Sequence, residues 1–213
     1  MVSWSGGKDC YLALKRVRGD FEIVGLFTMM TEDGQRSRSH GLRPELLRYQ
    51  AELLGVPHLT ECATWAEYEV AFSDLLAKAR AFDITHVVFG DIYPDANRIW
   101  AETISAGQGL TAIEPLWGEP TERLVREFIA TQSTAVITTV RDAHLDQSFL
   151  GRTLTPELID IFLEKGIDPC GERGEFHTFV THYGGTETSI PITFGDVYEV
   201  GGCSAIDLRL VRN

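Results

Sequence analysis

Cysteine is scarce in this chain, with four in 213 residues (Cys10, Cys62, Cys170 and Cys203). They are widely scattered and form no CxxC pair, which argues against a zinc ribbon, a dithiol redox centre or a disulfide scaffold. Long apolar runs are missing as well. None approaches the ~18 residues of a membrane span, so no membrane partner is expected. The chain opens directly in what reads as a core strand, without a basic-then-apolar leader, and the cytoplasm is the expected compartment. Positive charge is in deficit, at a net −12. Duplex nucleic acid is held largely by neutralising phosphates, so general nucleic-acid binding is not expected. Arg36, Arg38, Arg43 and Arg48 do lie close in sequence, and read either as a solvated loop and helix face or as a local basic cleft.

What is present is the balance of a globular enzyme, 44% hydrophobic and 23% charged. The length suits one large α/β domain with a smaller appendage. Val2 to Trp4 reads as a strand end, and Cys10, Ala13, Leu14 and Val17 fall on one helical face. Phe21 to Met29 is a continuous apolar run suited to a buried parallel strand. A helix is expected over Pro44–Leu54, with Pro in its first turn and Gly55 at its end. Further elements are a strand over His58–Cys62, a helix from Glu67 to Phe82, a strand over His86–Phe89 and a helix over Ala96–Ser105. Next come a strand over Leu110–Ile113, a helix from Thr121 to Ala130 and a strand over Ala135–Val140. The alternation implies a parallel sheet covered on both faces, with its site at the carboxyl ends of the strands. After a helix at Pro156–Lys165 the pattern changes to glycine-rich loops and strands over Phe176–His182, Val197–Val200 and Ala205–Val211. Two domains are expected, residues 1–117 and a smaller α+β domain at 118–213.

The sharpest motif is Ser5-Gly6-Gly7-Lys8-Asp9-Cys10, set between a strand and a helix. Gly6 and Gly7 can take positive φ and bring backbone N–H groups close to a phosphate. The helix beginning near Asp9 adds orphan N–H donors and a partial positive charge. Ser5 supplies a hydroxyl, Lys8 a cation, and Asp9 a carboxylate that could cap the helix or hold magnesium. A plain strand–helix turn would use the glycines for geometry alone. The motif is neither GxxxxGK[ST] nor GxGxxG. The second concentration is Asp168-Pro169-Cys170-Gly171-Glu172-Arg173-Gly174-Glu175-Phe176-His177-Thr178. Carboxylates and a histidine on a glycine loop suit amine binding, metal binding or proton transfer, and equally a solvated turn feeding an edge strand.

Ser5–Asp9 resembles the PP-loop of the adenine nucleotide α-hydrolases, whose usual SGGxDS has serine where this chain has Cys10. With Cys170-Gly171-Glu172-Arg173-Gly174-Glu175-Phe176-His177-Thr178-Phe179-Val180 near the other end, the chain resembles the diphthine–ammonia ligase family. Gly90-Asp91-Ile92, Arg98–Glu102, Pro115-Leu116-Trp117 and Leu150-Gly151-Arg152 look like further ordered matches, and Phe176-His177-Thr178-Phe179 looks like the bacterial form.

The resemblance implies an α/β fold, a parallel-sheet PP-loop domain of the HUP-like, Rossmann-like kind with a smaller C-terminal α+β domain. It implies a ligase that uses ATP and magnesium to adenylate a carboxylate, releases pyrophosphate, and transfers the acyl group to ammonia. Alternatives are an ATP pyrophosphatase acting on a small carboxylate, such as a cobalamin-related acid, and a non-catalytic nucleotide-binding protein. Expected roles are catalysis for Lys8, Asp9, Glu172 and Glu175, with Asp9 also at the metal. Ser5, Gly6, Gly7, Lys8, Asp9, Cys10, Phe27, Thr28 and Gly90 are expected to bind the nucleotide. Gly171, Glu172, Gly174, Glu175, His177 and Thr178 are expected on the substrate side. The cysteine at position 10 reads as a gap-filler or as a reactive thiol. A homodimer is allowed.

Overall fold

A computed structural model describes residues 1–211 and falls into two units. The first contains Met1–Ser5 and Asp9–Gly118, the second Gly6–Lys8 and the chain from Glu119 onward.

The first unit is a five-stranded sheet of order β3-β2-β1-β4-β5, parallel throughout. Its strands are β1 (Val2–Ser3), β2 (Leu26–Met30), β3 (His58–Cys62), β4 (His86–Val88) and β5 (Thr111–Ile113), joined by α1 (Lys8–Val17), α2 (Pro44–Leu54), α3 (Tyr68–Ala79) and α4 (Asp95–Gly107). Every residue of β2 is buried, as a parallel strand covered on both faces requires. The apolar run of the sequence begins earlier, at Phe21, but pairing starts only at Leu26. Its partners enter there, Val2 on one side and His58 on the other, so Phe21–Gly25 has no strand to join. Helix α2 ends on Gly55 at φ 72°, and the helix expected to reach Phe82 ends at Ala79, continuing as a 3-10 turn over Arg80–Phe82. Phe27 meets Phe72 edge to face at 5.4 Å in the core. Buried Trp4 donates from Nε1 to Oε1 of buried Gln50 at 2.8 Å, which leaves neither polar group unsatisfied.

The second unit is a four-stranded antiparallel sheet of order β7-β6-β9-β8, with α5 (Thr121–Ala130) and α6 (Pro156–Glu164). Its strands are β6 (Thr134–Arg141), β7 (Phe176–His182), β8 (Ile192–Val200) and β9 (Cys203–Leu210). Here β6 departs from the expected continuation of the parallel sheet. It pairs antiparallel with β7 and β9, strands far along the sequence, while its unbroken buried run reads like a parallel strand. Strand β8 begins at Ile192, five residues before the expected Val197. A bulge between Phe194 and Val197 breaks the two-residue alternation that would have revealed it. No helix among the described residues is long and apolar enough to cross a membrane.

Candidate functional site

The turn from β1 into α1 is built from the glycine motif. Gly6 takes φ 81°, the left-handed conformation that favours glycine. Helix α1 starts at Lys8 with Asp9 in its first turn, where a carboxylate complements the helix dipole. In the first unit the Ser5 hydroxyl donates to Sγ of Cys10 at 3.3 Å, and Cys10 is buried as a small residue of the first helical turn. Gly90 follows β4 directly against that turn. A Cβ placed on it would lie 2.8 Å from the Cys10 nitrogen and 2.9 Å from the Asp9 carbonyl carbon. Only glycine permits this approach, and it brings Asp91 beside the loop. Burial raises the Asp91 carboxyl above the ordinary range, and the Asp9 charge adds to the rise against a hydrogen bond from Asn97 at 3.1 Å.

Phe27 lies in β2. Its ring lies in the core, and its carbonyl accepts the Trp4 N–H at 2.7 Å. Thr28 borders a hollow of about 50 Å³ with Ser3, Trp4, Ser5, Met29, Ser37, Ser39 and His40. Its hydroxyl donates to the Trp4 carbonyl at 2.5 Å and so can only accept from His58 Nε2 at 2.8 Å. His58 is therefore protonated at Nε2. Burial first, and Arg48 second, pull its pKa down to about 4, so the ring is neutral near pH 7.

In the second unit Lys8 is 3% exposed, not at a cleft surface as a phosphate-binding cation would be expected. Its ammonium donates to the Cys170 carbonyl and lies 5.4 Å from the centre of the Phe176 ring. Its backbone N–H donates to Thr178 Oγ1 at 3.1 Å, and the Gly6 carbonyl accepts the Val180 N–H at 2.9 Å. The acidic loop closes on itself by two successive turns, Gly171 N–H to Asp168 carbonyl and Gly174 N–H to Gly171 carbonyl. Both glycines are left-handed, at φ 76° and 80°.

Glu175 is held within its own loop. It is 2% exposed, and its two oxygens accept the N–H groups of Asp168 at 3.1 Å and Arg173 at 2.9 Å. Glu172, half-buried, is the loop's other candidate carboxylate. His177 has its pKa lowered to about 4, by burial first and then by Lys8 and Arg141.

Three contributors were given no role from sequence, although Asp91 and Asp168 stand in the quoted motifs. Asp91 carried a signal, since it follows a strand end and a glycine. Asp168 accepts the Cys170 N–H at 2.8 Å in a local turn of a kind aspartate favours. Arg141 donates from Nε to the Gly174 carbonyl at 2.9 Å, and nothing near it in sequence announces that. No group of three or more His, Cys, Asp or Glu among the described residues forms a metal cage. Magnesium bound together with phosphates needs only one or two carboxylates, which Asp9 and Asp91 fit.

The family model described as diphthamide synthase N-terminal domain matches residues 1–112, and that of the diphthamide synthase C-terminal domain matches residues 120–184. A human protein named diphthine–ammonia ligase is 34% identical over 202 residues, covering 82% of this chain and 75% of its own length. The rat protein of the same name is 27% identical with the same coverage. A solved structure from Methanocaldococcus jannaschii, titled a predicted subunit of tRNA methyltransferase, aligns with 88% of this chain and 97% of its own at TM-score 0.46 and 16% identity, too slight a likeness to bear on function.

Proposed function

The chain belongs to the diphthamide synthase family, and on that premise we propose that it is an ATP-dependent ligase that adenylates a carboxylate and transfers the acyl group to ammonia. The observation that carries the reading is the glycine turn at the start of α1, with Lys8 held at both its backbone and its ammonium. A carboxylate oxygen attacks the α-phosphorus, the bond to the bridging oxygen breaks, and pyrophosphate leaves. Ser5, the amides of Gly6 and Gly7, the positive end of the α1 dipole and the Lys8 ammonium neutralise the departing charge. Cys10 supports that turn by packing. Magnesium, when bound, offsets pyrophosphate charge, and Asp9 and Asp91 are the residues that would hold it. The edge of the adenine lies by Thr28 and the small hollow beside it.

Ammonia then attacks the acyl carbon, AMP leaves, and Glu172 takes the proton that nitrogen sheds. Gly171, Gly174, His177 and Thr178 shape the acceptor side. The relatives' name makes diphthine the first carboxylate to try, and the protein acts in the cytoplasm, with a homodimer compatible with this role. The test incubates protein, ATP and magnesium with a diphthine-bearing substrate or small carboxylic acids and ammonium. AMP and pyrophosphate are expected in proportion to amide. ADP and phosphate as products would overturn the reading, and ATP binding without turnover on any acid would indicate a binding protein.

A further inference from the structure

Glu175 is the least exposed of the carboxylates among the described residues of the second unit. Its side chain spans its own loop, since Oε1 accepts from Asp168 at one end and Oε2 from Arg173 near the other. Its carbonyl accepts the Arg141 N–H at 2.8 Å, which fastens the loop's exit to β6. Inside that span the Asp168 carboxylate accepts the Cys170 N–H, and the Asp168 carbonyl accepts the Gly171 N–H. The peptide on either side of Cys170 is thereby fixed, and the Cys170 carbonyl is the group that receives the Lys8 ammonium.

We propose that Glu175 is a positioning residue that acts through the Cys170 carbonyl to place the Lys8 ammonium, and so governs the ATP half of the reaction instead of the ammonia half. The proposal rests on the reading above, in which Lys8 neutralises pyrophosphate. Glutamine cannot replace Glu175. Both of its positions face N–H donors, and a carboxamide turns one acceptor into a third donor whichever way it is placed. With the loop released, the Lys8 ammonium loses a fixed acceptor and its direction.

The test measures binding of ATP with magnesium in the absence of any acid, and the KM for ammonium under turnover. Glu175→Gln is expected to weaken ATP by about tenfold, the scale of one charge-assisted contact, and to leave the ammonium KM within about twofold. In a Lys8→Ala background the same substitution should change ATP affinity by less than about twofold, because the two act as one unit. A full tenfold loss on top of Lys8→Ala, or a raised ammonium KM with ATP affinity unchanged, would overturn the proposal. Should Glu175→Gln fail to fold, the lever is read at Asp168. Asp168→Ala frees the Cys170 N–H and should weaken ATP, whereas Asp168→Asn keeps an acceptor and should restore it. If both bind ATP like the wild type, the proposal falls. Wild-type protein that binds no ATP would remove the underlying reading and this proposal with it.

Discussion

The chain has two glycine loops, Ser5–Cys10 and Asp168–Glu175, each with two glycines and one cation, the first with one acidic residue and the second with three. They spend their polar groups in opposite ways. The first feeds a helix, so its geometry is maintained by α1 and by the close approach of Gly90, and its carboxylate Asp9 stays half-buried near Asp91. The second leads into a strand, and from outside it Thr121 at the start of α5 donates to Asp168 Oδ2 at 3.2 Å. It uses its own carboxylates as braces, Asp168 on the Cys170 N–H and Glu175 on the N–H groups of Asp168 and Arg173. A backbone turn with no helix to satisfy its amides must find acceptors among nearby side chains. The acidic motif is thus mostly architecture, with Glu172 as its one half-buried carboxylate.

The largest expected effects test that division of labour. Lys8→Ala removes a charge-assisted contact worth roughly 1.5–3 kcal/mol, or about 10- to 150-fold in ATP affinity. Because Lys8 is buried, the fold also weakens by about 1–3 kcal/mol as the Cys170 carbonyl loses its donor, which a urea melt would read. Glu172→Gln should lower amide formation by roughly 10²-fold, the usual cost of losing a positioned base, with ATP affinity within about threefold. A Glu172→Gln enzyme that binds ATP as poorly as Lys8→Ala would erase the distinction.

Glycine substitutions probe the two kinds of support. Gly171→Ala sets a Cβ 2.6 Å from the Phe176 carbonyl oxygen at φ 76°, so steric and left-handed strain combine. A loss of about 2 kcal/mol or more is expected. Gly90→Ala has only the steric term, from Cys10 and Asp9 backbone, and should cost about 1–3 kcal/mol together with ATP affinity. Gly185→Ala, left-handed with nothing near its Cβ, is the control at about 1–2 kcal/mol. Thermal melts and ATP titration separate these outcomes; equal losses at Gly171 and Gly185 would show that the Phe176 contact is relieved cheaply.

Much of the first unit was legible because its signals are local. Pro44 and Gly55 bracket α2, and β3 runs from His58 to Cys62 between turn residues, as the sequence suggests. The direction of β6 was not legible, since an apolar run carries no record of which strand lies beside it. The fates of Lys8 and Glu175 were hidden for different reasons. The ammonium of Lys8 finds its acceptor 162 residues away, and Glu175 is committed by backbone amides, which have no side-chain signature.

Two half-buried histidines extend the comparison to acid. His58 in the first unit and His177 in the second are both lowered to about 4 from the ordinary 6.5, mainly by burial. A depressed histidine binds its proton more readily in the unfolded chain. Its contribution is therefore complete above about pH 6.5 and declines as pH falls toward 4, by at most about 3 kcal/mol each. Urea melts between pH 7 and 4.5 should show this decline, and His177→Gln should flatten it partly. A slope unchanged by that substitution would mean His177 titrates normally. Lys8→Ala should also flatten it slightly, since Lys8 is the second cause of the His177 depression.

The smallest effect expected is also the one with the opposite sign. Glu114, in the first unit, has a side chain 5% exposed, its Oε2 lies 3.5 Å from Arg98 Nε, and Oε1 has no hydrogen-bond partner among the described residues. Its carboxyl is raised by burial first and by the Asp91 charge second, with Arg98 opposing. A raised carboxyl holds its proton more firmly in the folded state, so it weakens the fold at neutral pH and ceases to do so as pH falls toward the ordinary carboxylate range. Glu114→Gln removes the charge and the repulsion from Asp91, while Arg98 keeps Glu102 at 2.9 Å. Stability at pH 7 should therefore rise by about 0.5–1 kcal/mol, and the gain should vanish near pH 4. The same substitution at Glu175, where both oxygens accept backbone N–H groups, should instead lower stability by about 1–3 kcal/mol at pH 7. Paired denaturation curves of the two variants at pH 7 and pH 4 decide it. If Glu114→Gln destabilised as much as Glu175→Gln, the Arg98 ion pair would outweigh the buried charge, and the contrast between a braced and an unbraced carboxylate would fail.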